Sequence, residues 1–246
     1  VTIAIAVTPS GPTAGSVPIL GALQSAAIRL LGQKPSTFFG APQSSVFEME
    51  MTDLVNEVAQ DICKYQDWQA LTRIASLTGD GSSTTAELPE DYDRQTLSSD
   101  LQSAANWAWG FQHVTDLNQF IYNRDSGWGQ WPGGWIIYGG QLQFQPAPSG
   151  ETQFPYISSN YAYGADGVLK PAFTADTDIF LLPARLLTLG LVWRWRENKK
   201  LDATGDQEAF IKALDEYAGK DKGSSIIRFN GSRRWNTSVP YTGTAW

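Results

Sequence analysis

The stretch that most constrains the fold is residues 176–201, DTDIFLLPARLLTLGLVWRWRENKKL. Residues 186–195 are apolar on every side, with Arg194 the one charge. A helix of that kind is buried by neighbours on several faces and is not laid along a surface. It is too short, and with Arg185, Arg194 and Arg196 too charged, to span a bilayer. Pro183 suits the first helical turn, where its missing N–H would have been unpaired anyway. Gly190 costs about 1 kcal/mol against alanine in a helix interior, so it predicts a second backbone passing close by. Lys199 and Lys200 lie where positive charge complements the helix C-terminus. The stretch reads as a central core helix.

The 246 residues are enough for one substantial domain, or for a domain with an insertion. A net charge of −7 argues against a protein whose main work is gripping phosphate backbones. Acidic surfaces repel DNA. The single Cys63 excludes an intrachain disulfide and a Cys-rich metal site; within a helical pattern it reads as a small buried hydrophobe. His113 is the only histidine, so a multi-His zinc site is excluded and a Ser-His-Asp triad has one possible base. The opening VTIAIAVTPSGPTAGSVP lacks a basic segment and a long apolar run, and does not read as a signal peptide. The expected setting is soluble and reducing.

Residues 1–15 fit either a flexible arm or a strand added to a neighbour. Ser16 is the expected cap of a helix with Pro18 in its first turn, Gly32 past its end, and Leu20, Leu23, Ala27, Leu30 and Leu31 on one face. Thr52 is the expected cap of a second, with Leu54, Val55, Val58, Ile62 and Tyr65 inward. After Trp68 the apolar period shortens to about 2. Residues 72–78 alternate, Gly79-Asp80-Gly81 turns the chain, and residues 84–88 are expected to pair back. Residues 89–94 read as an acidic loop and 116–123 as a short helix. Residues 135–138 and 141–145, joined by Gly139-Gly140, form the clearest hairpin, with Leu142 and Phe144 on one face. Residues 154–163 offer a further strand. Helices resume at Pro183 and again after Thr204, the last with Phe210, Ile211, Leu214 and Tyr217 inward and Gly219 at its end.

The fold class read from this order is α+β. A helical bundle (residues 16–66 and 176–222) carries an inserted antiparallel β-sandwich or barrel-like domain (67–175), with extended arms at 1–15 and 223–246. The insertion alone carries a charge of −7. Residues 223–246 hold three Arg and no Asp or Glu, so with +3 there the other side chains total −10.

Four constellations invite a chemical reading. Glu90, Asp91 and Asp93 suggest a cation site or an acid/base pair, but the spaced oxygens and glycine of a calcium loop are missing, and a solvated acidic loop is favoured. Trp107, Trp109, Trp128, Trp131 and Trp135 fit a stacking platform for sugar rings or bases; a core or an interface is favoured. Gly133-Gly134 and Gly139-Gly140 match no phosphate-binding loop, because neither leads into a helix with the required lysine or spacing. Arg228, Arg233, Arg234 and Trp235 fit a DNA-touching arm or anchors for a protein pocket. The tail is too aromatic for an ordinary linker, which favours an arm that folds on a partner. No catalytic, cofactor-binding or metal-ligating set stands out.

The string LLPARLLTLGLVWRWRENKKLD followed by GDQEAFIKALDEYAGKDKGS resembles the C-terminal helical pair of bacteriophage head-to-tail adaptor (connector) proteins. These are broadly similar to the tail-accessory adaptors of short-tailed phages. LVNEVAQDICKYQDWQALTRIASLTGDG and HVTDLNQF resemble the same group, so the likeness spans residues 53–224. It rests on packing and turn residues. The resemblance implies a structural virion protein and no enzyme. Such adaptors form a ring, usually of twelve copies, at the neck between capsid and tail. They dock on the portal protein, prolong the DNA channel without binding DNA specifically, and receive tail or nozzle proteins. Their C-terminal segments enter crevices between portal subunits, which makes Arg228, Phe229, Arg233, Arg234, Trp235, Tyr241 and Trp246 the portal-binding candidates. The rival reading is a carbohydrate-binding or carbohydrate-hydrolysing module built on the Trp-rich insertion.

Overall fold

The computed structural model describes residues 5–7, 17–40, 45–96, 100–103, 110–126 and 133–222. A short strand, β1 (Ile5–Val7), precedes helix α1 (Ile19–Leu31). Ser16 lies outside the described residues, and Pro18, not a capping side chain, holds the N-cap position. The helix start is satisfied from the far end of the chain: Ile19 N donates to Asp178 O (2.7 Å) and Leu20 N to Asp176 O (3.3 Å). The buried face is Ile19, Ala22, Leu23, Ala26 and Ala27, whereas Leu31 points outward. Gly32 ends the helix in the left-handed conformation.

Helix α2 (Val46–Tyr65) begins six residues before the expected Thr52, because Ser45 and Glu48 supply a Ser-x-x-Glu start. Ser45 Oγ accepts from Glu48 N at 3.2 Å. Leu54, Val55, Val58 and Ile62 are buried as the spacing predicts. Tyr65 is exposed instead, its hydroxyl donating to Asp215.

The middle of the chain is mostly strands. Strand β2 (Thr72–Asp80) is followed by β3 (Thr85–Glu87), β4 (Tyr92–Gln95), β5 (Gln102–Ser103) and β6 (Gln112–His113). Helix α3 (Leu117–Asp125), capped by Asp116, separates these from the hairpin β7 (Gly134–Tyr138) and β8 (Gln141–Gln145). Strand β9 (Ser149–Ser158) comes next, starting five residues earlier than expected. Gly139 and Gly140 both take positive φ, 62° and 76°, the conformation of a two-residue turn matched to strand twist.

The expected return of residues 84–88 onto β2 does not occur. Asp80 accepts from Ser82 N (2.9 Å), Ser83 N (2.7 Å) and Ser83 Oγ (2.8 Å), a local turn that carries the chain across to a second sheet. There β3 pairs with β8, placing Ala86 opposite Leu142. The partner of β2 is β9, which offers an unbroken register from Thr72↔Ile157 to Asp80↔Ser149. One sheet is ordered β1-β2-β9, with β4 and β5 also on β9; the other is ordered β3-β8-β7-β6, with β6 parallel to β7. Ala75, Leu77, Phe154 and Tyr156 of the first sheet meet Ala86, Trp135, Leu142 and Phe144 of the second in one buried cluster. The sheets face each other as an open sandwich, not a barrel.

Past β9 the chain forms three two-residue strands, β10 (Ala162–Tyr163), β11 (Leu169–Lys170) and β12 (Ile179–Phe180), in a small sheet. Tyr161, Ala162, Phe173 and Phe180 join the core of the helices. Asn56 of α2 fastens this segment: its Oδ1 accepts from Phe173 N (2.8 Å) and Tyr161 OH (3.0 Å). Asp176 accepts from Phe38 N, Phe39 N and Thr37 Oγ1, holding down the loop after α1.

Helix α4 (Ala184–Asn198) packs on α1, on α2 and on α5 (Thr204–Lys222), the central position its apolar circumference requires. Pro183 stands at its N-cap, one place earlier than expected. At Gly190 the close neighbours are side chains, not a second backbone. An added Cβ would lie 2.5 Å from Val58 Cγ1 and 3.1 Å from Phe210 Cε2. In α5 Phe210, Ala213 and Leu214 are buried, Ile211 is exposed, and the helix runs through Gly219 to Lys222. Lys199 pairs with Glu50 (2.6 Å) and Arg194 with Asp61 (2.8 Å), so these charges join α4 to α2.

Asp178 yields a pH prediction. Its side chain is 1% exposed and accepts from Lys170 Nζ (3.1 Å), Thr174 N (2.8 Å) and Ala175 N (3.0 Å). Burial alone would raise its pKa, but these donors outweigh that and hold it below the ordinary carboxylate value. A depressed folded pKa contributes stability above the unfolded pKa, and that stability disappears as pH falls through the folded value. Asp178→Asn is expected to cost about 3 kcal/mol near neutrality, as for one partner removed from a buried pair. Melting curves should show the gap to wild type narrowing as pH drops below 4, roughly the unfolded carboxylate pKa.

Candidate functional site

The seven portal-binding candidates, Arg228, Phe229, Arg233, Arg234, Trp235, Tyr241 and Trp246, lie outside the described residues. The root of their segment is described. Asp221, in the last turn of α5, accepts from Gln69 N at 3.0 Å, and its backbone carbonyl accepts from Gln69 Nε2 at 2.5 Å. Gln69 sits in the single turn between α2 and β2. The end of α5 therefore lies at the junction of helices and sandwich.

That junction holds Arg94, which is on a strand and not in the acidic loop expected over residues 89–94. Arg94 lies on β4, and its Nη2 donates to Cys63 O (3.1 Å) and Gln66 O (2.7 Å) at the C-terminal end of α2. Its Nε reaches Asp67 (3.0 Å) and its Nη1 reaches Asp93 (2.6 Å). Trp68 Nε1 donates to Ile62 O at 2.7 Å. Both side chains satisfy carbonyls that the helix end leaves unpaired. Spacing alone cannot find such a long-range cap; the one cue was an arginine placed among carboxylates.

The acidic trio is dispersed by its bonding. Asp91 accepts from Tyr156 OH and Ser158 Oγ, both at 2.6 Å, Asp93 pairs with Arg94, and Glu90 is exposed. Asp91 is thus a half-buried strut beneath β9, which corrects the solvated-loop reading for this residue. Burial, then the bond to Asp91, pushes the Tyr156 hydroxyl well above its ordinary pKa, so it stays a donor. Asp91→Asn is expected to lower stability by roughly 1–3 kcal/mol through two weakened charge-assisted bonds. A glycan turnover assay on the same variant should match wild type; turnover present in wild type and lost in the variant would overturn the structural role.

Trp107, Trp109, Trp128 and Trp131 lie outside the described residues. Trp135 is fully buried in the sandwich, edge-on to Phe154 with ring centroids 5.6 Å apart, so it offers no face to a sugar. His113 packs on Trp135 at 4.8 Å, and burial lowers its pKa. Burial pushes the Cys63 thiol up to about 12, the value of an unreactive core group. Gly134 begins β7 and Gly139-Gly140 is a hairpin turn, so neither pair opens a helix. Among the described residues no group of three His, Cys, Asp or Glu is placed to hold a metal ion, and no helix is long and apolar enough to cross a membrane.

What the described surface does offer is contact area. Val46 and Met49 on α2, Ile28 and Leu31 on α1, and Ile211 on α5 are large apolar side chains left exposed. Exposed apolar side chains of this kind suit protein–protein contact. Residues 19–239 match the family model for SU10 adaptor protein, and the chain belongs to that family. It is a structural bacteriophage adaptor of the virion, a class whose role implies contact with other head and tail proteins. The matched range includes the helical pair α4–α5 and reaches past Trp235, stopping short of Tyr241. No curated protein matches the chain.

Proposed function

We propose that this chain forms a ring, of twelve copies in the arrangement usual for such adaptors, between the portal and the tail. In this reading the bundle (residues 16–66 and 176–222) and the β-rich insertion (67–175) make the ring body. Residues 223–246 make the arm that binds the portal protein. The carrying observation is the charge division: +3 on residues 223–246 against −10 on the rest of a chain whose family is phage adaptors. Negative charge along a channel keeps passing DNA from sticking, because it attracts no phosphate. The arginines and aromatics of the arm are the residue types that anchor protein interfaces. Tail or nozzle proteins would dock on the face away from the portal. The burial of Trp135 and the bonding of Asp91 disfavour the carbohydrate module. Imaging the neck of the particle tests the reading directly. Rotational averaging should give a closed ring of one chain type; its absence from the neck would refute the proposal.

A further inference from the structure

We infer that β1 is an exchangeable strand, donated in the assembled ring to the β2 edge of a neighbouring copy. The inference rests on the ring reading above. Three observations carry it. First, β1 is the outermost strand of its sheet and, among the described residues, pairs with β2 in the antiparallel register Ile5↔Leu77, Ala6↔Ser76, Val7↔Ala75. The β2–β9 ladder runs beside it in its own unbroken register from Thr72 to Asp80. Second, it covers three of the nine residues of β2, and among the described residues nothing else pairs with that edge. A long edge beside an exposed Ile74 is a template for a strand from another chain.

Third, the connection to α1 contains Pro9, Gly11, Pro12 and Gly15 before Pro18, a composition that interrupts helix and strand and so does not commit β1 to one body. Pro18 is bridged to Ile179, so the connection starts from a fixed point on the helical core. The ten residues between Val7 and Pro18 span at most about 35 Å when extended, the scale of a neighbouring subunit's edge. Exchange replaces a contact with an identical one, and a ring holds the neighbour's edge at high effective concentration, so no new contact is needed. The partner is therefore a second copy of this chain.

Directly opposite residues in antiparallel strands have Cα separations that a disulfide accepts. The test is the full-length Ala6→Cys/Ser76→Cys double variant, assembled on DNA-filled capsids that lack the adaptor and then oxidised. The buried Cys63 does not compete. Particle imaging reports whether a ring is present, and a non-reducing denaturing gel reports which chains are joined. A ring whose chains run as a ladder of covalent multimers, absent from each single-cysteine variant, is the expected result. A ring whose chains run only as internally cross-linked monomer, or show no cross-link, overturns the exchange and leaves the ring reading standing. Bound protein without a ring overturns both.

Discussion

Replacing Leu191 by aspartate is expected to abolish soluble folding. Leu191 and Leu187 are fully buried where α4 meets its neighbouring helices, and among the described residues that core is apolar. The loss of a buried leucine costs about 2–5 kcal/mol, and an unpaired carboxylate in its place adds several more. Together these approach the whole stability of an ordinary domain, about 5–15 kcal/mol. Leu189, which the sequence places at the heart of the same helix, is half-buried, so Leu189→Asp should be milder. The check is the soluble fraction and melting curve of the two variants side by side. Equal, wild-type curves would show that α4 is not the centre of the core.

Deleting residues 229–246 is expected to leave the body folded and to abolish attachment to the portal. The expected melting curve lies within about 1 kcal/mol of wild type, the spread for surface changes. An arm that orders on a partner gives up about 1–2 kcal/mol of backbone entropy per residue. Binding must recover this through buried aromatics such as Phe229, Trp235 and Trp246 and through charge-assisted bonds from Arg228, Arg233 and Arg234. The truncated chain mixed with DNA-filled capsids should leave no density at the portal. Normal occupancy would transfer the portal contact to the exposed apolar residues of α1 and α2.

The parts of the fold legible in the sequence were those governed by neighbours in sequence. The apolar circumference of residues 186–195 marked the central helix, and Gly139-Gly140 between alternating runs marked the β7–β8 hairpin. The α+β class followed from the change of period after Trp68. The misreadings have two causes, a rival local signal in some places and a long-range partner in others. Thr52 lost to Ser45 because the Glu48 pairing extends the helix, and residues 84–88 found β8 because Asp80 turned them away from β2. Ile211 lost its inward place to Ala213. Arg94 was invisible as a helix cap because the carbonyls it satisfies lie about thirty residues earlier in the chain. The family was legible from the helical pair, since packing residues there are distinctive. The arm's role was read from composition and resemblance, which name a partner class without a geometry.

The β2–β9 ladder has a mechanical side. The chain leaves the helical core along β2 and returns to it along β9: Leu71 and Ile157 are buried with the helices, while Leu77 and Phe154 are buried between the sheets. The two strands are tied from Thr72↔Ile157 to Asp80↔Ser149 without a break. A pull separating sandwich from helices would thus run along two covalent backbones in parallel, not across hydrogen bonds that could unzip one after another. Bending one strand relative to the other would break the ladder's register at once. A virion protein built this way would carry a load between its two halves as tension in the polypeptide itself.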